Sequence, residues 1–366
     1  MNIMTKIKRA AAFLTALSLA FIFVSCSMEK NENGGGTSAA ADDVMDEVSE
    51  TAETQPEYFS LLPDETTEAV LNADVTEMMT ETEAETETET SEADKTETTT
   101  KTKKSDSRYG TYTGYAPLKP MTFTAKDPDN TAGLPTKTIS HSYGVPKNGK
   151  PNQISIDNQD YFDSTGYKVI TLDNKTDDKV LYLTFDCGYE NGNTGKILDT
   201  LRDKNVPSAF FCTLDQIQKE PELTARMITE GHIVGNHSVH HPDFSTISRE
   251  KMVSEILGCE NYLRENFGYS SKYFRYPTGN YSVNSLELID SMGLTTVFWS
   301  CAYADWNTEE QKGSSYAYEV VTKRLHPGAI ILLHSVSSDN AGALGDIIDY
   351  AREQGYTFRS LDDYGK

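Results

Sequence analysis

The stretch "KVLYLTFDCGYENG", Lys179–Gly192, runs through apolar, β-branched and aromatic residues and stops at an acid, a thiol and a glycine. A short apolar run bounded in this way is the pattern of a buried strand. Behind it, "TGKILDTLRDKN" (Thr194–Asn205) places its apolar residues at helical spacing. The alternation then repeats. Strand-like runs follow at "PSAFFCT" (Pro207–Thr213), "HIVGN" (His232–Asn236), "KYFRYP" (Lys272–Pro277), "TTVFWSC" (Thr295–Cys301), "AIILLHS" (Ala329–Ser335) and "YTFRSL" (Tyr356–Leu361). Helix-like segments separate them, several ending in glycine as helix C-termini commonly do.

Seven strands and six intervening helices predict an α/β domain whose parallel sheet closes as a distorted (β/α) barrel. An open doubly wound sheet is the alternative, weakened because no glycine-rich phosphate loop follows the first strand. Residues 179–366 are thus the expected catalytic domain. Residues 108–178, with turn signals such as "PKNGKPN" (Pro146–Asn152), read as an irregular extension wrapping the barrel.

Upstream the chain changes character. Residues 1–26 join a basic segment (Lys6, Lys8, Arg9) to about fifteen apolar residues, Ala10–Val24, and end in "FVSC". That run is short for a bilayer span, which takes about 20 residues, but suits a secretory leader. Ser25 before Cys26 resembles a lipoprotein signal, making Cys26 the lipid anchor; an ordinary cleaved signal or an uncleaved anchor are the alternatives. Each sends the chain out of the cytoplasm.

Residues 27–107 are an acidic, Glu/Thr-rich linker with too few apolar residues to offset the entropy of ordering. Between Ala41 and Ser107 lie 21 acids and 4 bases, so this segment holds −17 of the chain's −23. The acidity therefore belongs to a tether and does not describe the ligand of the domain beyond it. No nucleic-acid partner is expected, and a monomer is. Of the five cysteines, Cys187, Cys212, Cys259 and Cys301 show no paired spacing, so no disulfide framework is expected. Cys212 and Cys259 sit in apolar contexts and read as small core residues.

The polar residues that interrupt the strands collect at their C-terminal ends: Asp186, His237, Arg275, Asp305 and His334. In a barrel those ends converge on one face, where active sites form. Three of the seven histidines fall in "HSVHH", with His237 and His241 four apart. If that turn is helical, both imidazoles share a face and can grip a divalent metal. His240 reads as a bystander. Two neutral imidazoles want an anionic partner, and Asp186 or the Cys187 thiolate offers one; zinc accepts thiolate and imidazole together. An inert Cys187 packed in the turn is the competing reading.

"TFDCG", "HSVHH", "RYPTG", "AYADW" and "LLHS" occur in the order of the five motifs of polysaccharide deacetylases, carbohydrate esterase family four. The resemblance runs from about Val180 to Asp363. Longer stretches, "TFDCGYENG" and "HPGAIILLHSVSSDNAGAL" among them, resemble the delta-lactam-biosynthetic de-N-acetylases. The resemblance implies Asp186 as general base, Arg275 as its partner, Asp305 as the group that tunes the acid, and His334 as the proton donor. It implies His237 and His241 as metal ligands, and a pocket for the acetyl methyl walled by Trp306 and Leu332 with Pro277 and Gly279 nearby. The family's third ligand is an aspartate, and Cys187 stands at that position. One divalent metal, zinc, is the expected cofactor.

These residues suit amide hydrolysis, which needs an activated water and a proton for a poorly leaving amine. The expected activity is removal of N-acetyl groups from peptidoglycan, at N-acetylmuramic acid, by an enzyme anchored outside the membrane and facing the wall. Deacetylation of N-acetylglucosamine or another polysaccharide is the alternative within the class. A glycoside hydrolase using Asp186 and Glu190 leaves the histidines idle. A silent glycan-binding domain leaves base, acid and arginine unexplained.

Overall fold

The computed structural model describes residues 116–366 except Asp177. The leader with Cys26, the acidic linker 27–107 and the first residues of the extension lie outside the described residues. Among the described residues no helix is long and apolar enough to cross a membrane.

The extension is more regular than its sequence suggests. It contributes β1 (Ile139–Ser140), a 13-residue helix α1 (Gln153–Thr165) and β2 (Val169–Ile170). Asn152 caps α1 by accepting from the Ile154 amide, and Gly166 ends it at φ 72°, a left-handed turn that glycine adopts without strain. The domain continues with β3 (Val180–Cys187), α2 (Thr194–Lys204), β4 (Ser208–Cys212), α3 (Leu214–Lys219), α4 (Pro221–Thr229) and β5 (Ile233–Asn236). Then come α5 (Arg249–Phe267), β6 (Tyr273–Phe274), β7 (Asn280–Tyr281), α6 (Val283–Ser291) and β8 (Thr295–Val297). The last elements are α7 (Ser314–Lys323), β9 (Ala329–His334), α8 (Ser338–Glu353) and β10 (Thr357–Phe358).

Eight strands form one parallel sheet in the order β10-β3-β4-β5-β6-β8-β2, with β9 on the other edge of β3. β1 pairs antiparallel with β7. The sheet curls but does not close as the expected barrel. Between β2 or β8 and β9 only isolated bridges cross, Leu172 to Ala329 and Cys301 to Ile331. A polar side chain occupies the seam instead. Gln159 of α1 accepts from the amides of Thr171 (2.8 Å) and Leu172 (3.2 Å) and donates to the Val169 carbonyl (3.1 Å). The Trp299 carbonyl is likewise taken, by His141 Nε2 and Thr171 Oγ1. Backbone bonds across the seam are few: the Ser300 and Cys301 amides reach the Ile330 carbonyl, and the Leu332 amide reaches the Cys301 carbonyl, while side chains take part of the remaining edge groups.

Strand alternation sends the side chains of β3 into two of the three core clusters. Leu181, Leu183, Phe185 and Cys187 of β3 pack outward with Ile197, Leu198 and Leu201 of α2 and Leu344 and Ile348 of α8. Tyr182 faces inward with Phe211, Ile233, Val297 and Ile330, drawn from four other strands or their ends. Thr184 and Asp186 follow Tyr182 on that inner face.

Candidate active site

Asp186 and His334 are register partners at the C-terminal ends of β3 and β9. Inside the sheet, Arg275 anchors the carboxylate. Its NH1 donates to Asp186 Oδ1 at 2.7 Å, its NH2 to Thr184 Oγ1 at 2.8 Å, and its Nε to the Val297 carbonyl at 3.0 Å. The guanidinium also lies 4.1 Å from the Phe211 ring centroid and is wholly buried. Burial pushes the Asp186 pKa up, but the positive charge of Arg275 outweighs it with help from the neighbouring imidazoles, and the carboxyl is held below its usual range.

His334 is oriented from its other side. Its Nδ1 donates to Asp305 Oδ1 at 2.6 Å, and its backbone amide to Asp305 Oδ2 at 2.8 Å. With Asp305 as the acceptor, Nδ1 carries the proton and Nε2 is the nitrogen left outside this pair. Burial opposes charge on this ring, but Asp305 and then Asp186 more than offset it, and the pKa is raised above 6.5. The side chain stays 15% exposed, so Nε2 is within reach of a ligand. Trp306 meets the His334 ring edge-on at 5.9 Å, and Leu332 lies two residues below His334 on the same strand.

His237 follows β5 and donates from Nδ1 to the Arg275 carbonyl at 3.0 Å. That leaves the lone pair of Nε2 facing Asp186 Oδ2 across 3.6 Å. The rings of His237 and His241 are 5.0 Å apart, yet the turn is not the helix expected from their spacing. Ser238 (φ 71°) and His241 (φ 58°) adopt left-handed backbone, which carries strain in residues other than glycine. Hydrogen bonds fix it: Ser238 N to Asn236 Oδ1, and His241 N to Ser238 Oγ. Buried Glu255 adds bonds from the amides of Val239 and His240 and from His240 Nδ1. His240 thus ties down the loop, its ring largely exposed. Burial lowers the pKa of both inner histidines, His241 to about 3, so both are neutral donors.

Cys187 is not with them. It lies on the outward face of β3 in the apolar layer, opposite its register partner Cys212. Among the described residues no three His, Cys, Asp or Glu side chains converge closely enough to hold a metal ion. The expected ligand trio His237, His241 and Cys187 is therefore not assembled: the two imidazoles are neighbours, and Cys187 is turned into the core.

A protein from Geobacillus stearothermophilus described as uncharacterized, of 30.6 kDa, is 49% identical over 186 residues, half of this chain and 70% of the relative. The peptidoglycan-N-acetylmuramic acid deacetylase PdaA of Bacillus subtilis is 46% identical over 189 residues, 51% of this chain and 72% of that one. The polysaccharide deacetylase family model matches residues 173–297. This chain belongs to the polysaccharide deacetylase family. The solved structure of B. subtilis PdaA, a family 4 carbohydrate esterase, superposes with a TM-score of 0.60 at 40% identity, covering 63% of this chain and 98% of the other.

In this deacetylase, Pro277 and Gly279 are buried after β6. Gly279 (φ 70°) could take no Cβ, which would stand 2.9 Å from the Trp299 ring. Its carbonyl accepts from the His141 amide, and His141 stacks on Phe298 at 4.4 Å. The extension therefore reaches the loop after β6. Sequence reading passed over Thr184, His141, Trp299, Glu255, Tyr303 and Asn340. Each acts through tertiary contacts that leave no pattern in the chain.

Proposed function

We propose that this protein hydrolyses N-acetyl groups of peptidoglycan, at N-acetylmuramic acid, freeing an amine that can close onto the lactyl carboxyl as a delta-lactam. The observation that carries the reading is the pairing of Asp186 with His334 across adjacent strands, each held in its working protonation state by its own partner. The 46% identity to the muramic acid deacetylase PdaA supports the choice of sugar.

Asp186, ionised beside Arg275, takes a proton from a water that attacks the acetyl carbonyl. His334, protonated beside Asp305, gives its Nε2 proton to the departing amine. One carboxylate base and one imidazolium acid flanking the same amide satisfy both proton transfers of the hydrolysis. Trp306 and Leu332 border the His334 side, where the acetyl methyl would rest, with Pro277 and Gly279 on the far loop. The family's divalent metal would polarise the carbonyl when bound. His237 and His241 are the residues that would hold the ion, without the Cys187 side chain, which lies in the core.

The leader pattern supports export and lipid attachment at Cys26, with residues 27–107 as a stalk holding the domain away from the membrane, and the resemblance to the delta-lactam-biosynthetic de-N-acetylases supports a role in sporulation. The decisive experiment treats purified peptidoglycan with the protein, digests it and locates the lost acetyl by mass spectrometry. Loss from muramic acid is the expected result. Loss from glucosamine would reassign the substrate, and no loss from either would end the reading.

A further inference from the structure

Asp305 receives a third donor besides the two from His334. Asn340, buried at the start of α8, donates from Nδ2 to Asp305 Oδ2 at 2.5 Å and to the His334 carbonyl at 3.2 Å. Its own Oδ1 accepts from the Tyr303 hydroxyl at 2.6 Å. Tyr303 precedes Asp305 by two residues and is buried too. Two acceptors, the Asp305 carboxylate and the His334 carbonyl, fix the NH2 group toward them, which leaves Oδ1 to accept from the Tyr303 hydroxyl. The Asp305 carbonyl is held by Gln311 Nε2 at 3.2 Å. The carboxylate therefore cannot rotate without breaking bonds to two separate chain segments.

We infer that Asn340 and Tyr303 are positioning residues for the proton donor: Tyr303 holds the Asn340 amide in place by donating to its Oδ1, and the amide pins one oxygen of Asp305 so that the other meets His334 Nδ1. The inference rests on the reading of His334 as the acid. The other charged or titratable groups acting on the His334 ring are Asp186, Arg275, His237 and His241. None of them touches Asp305 through a hydrogen bond. Among the described residues, Asn340 is the neutral side chain that bonds both Asp305 and the His334 backbone.

The test makes Asn340→Ala and Tyr303→Phe in the parent and in a His334→Ala background, and measures kcat and KM on acetylated glycan. In the parent, Asn340→Ala should lower kcat roughly 10- to 100-fold with KM little changed, and Tyr303→Phe less. In the His334→Ala background neither change should lower kcat further, because both act through a residue already gone. The proton resonance of His334 Nδ1–H should broaden in Asn340→Ala, a readout that needs no turnover. Equal losses in both backgrounds, or parent kcat in both single variants, would overturn the inference. Parent-like turnover by His334→Ala itself would remove the acid assignment, and the inference with it. Tyr303→Phe keeps its ring in the packing and carries the test if Asn340→Ala does not fold.

Discussion

Asp186 and Cys187 are consecutive in the chain and belong to opposite sides of β3, the acid facing Arg275 inside the sheet and the thiol facing Cys212 in the helix-packed layer. A two-residue strand period makes this unavoidable once Phe185 is committed to the outer layer. The thiol beside the acid is therefore a packing residue. Cys187→Ala should leave zinc content after reconstitution equal to that of the parent and cost about 1–2 kcal/mol in urea unfolding. Cys187→Asp should fail to restore the family's ligand set. It places a carboxylate among Phe185, Ile197 and Leu198, at a cost of about 3–5 kcal/mol. A stable Cys187→Asp protein with increased metal affinity would refute the placement.

Removing the proposed base carries a structural penalty as well as a chemical one. Asp186→Asn should reduce turnover roughly 10²–10⁴-fold. It also leaves the buried Arg275 guanidinium without its anion, so its unfolding midpoint should fall below that of His334→Ala. Turnover and urea unfolding on both variants check this. His334→Ala should show a comparable loss of turnover with a smaller loss of stability, since that ring is partly exposed and Asp305 keeps its bonds from the residue 334 amide and Asn340.

Activity should follow a bell in pH, because it needs Asp186 ionised and His334 protonated. Asp186 is held below its usual range and His334 above 6.5, so the window should be wide and its alkaline limb should lie above the ordinary imidazole value. Asp305→Asn removes the negative charge that outweighs burial at His334. The His334 pKa must then fall, moving the alkaline limb of kcat/KM to lower pH. A limb that stays in place would show that another group supplies the proton.

The seam filled by Gln159 offers a purely structural test. Gln159→Ala strips the amides of Thr171 and Leu172 of their acceptor, and a buried unsatisfied group costs about 1–3 kcal/mol. A stability loss of about 2–4 kcal/mol is expected on that basis. Hydrogen exchange at those two amides should quicken more than elsewhere in the sheet. Unchanged protection there would mean that the isolated bridges alone secure the seam.

The long strands were legible because their apolar runs have no other use. "VLYLTFDC", "SAFFC" and "AIILLH" each became a strand almost to the residue. "KYFRYP" yielded only two strand residues, because from Arg275 onward the backbone serves the site: the Arg275 carbonyl accepts from His237. The helix α1 was missed because "QISIDNQDYFDST" has a narrow apolar stripe and its decisive contact comes from a glutamine. Of the site, the strand-end residues were readable from position alone. The facing of Cys187 was also readable, from the alternation that put Phe185 outside, but its family position outweighed that signal. The bonds of Asn340, Tyr303 and Glu255 join segments far apart in sequence, and no spacing announces them.

Because Asp186 and His334 sit opposite one another in a parallel ladder, and the Ser335 amide bonds the Asp186 carbonyl at 3.1 Å just beyond them, their Cα atoms are held about 4.8 Å apart by the spacing of the sheet itself. The separation of the proposed base and acid is thus set by a backbone ladder and not by a loop. No lid has to close to set their separation. Solvent viscosity should therefore leave the chemical step untouched and slow only the arrival and departure of the glycan, whose bulk must adapt to a slot that does not adapt to it.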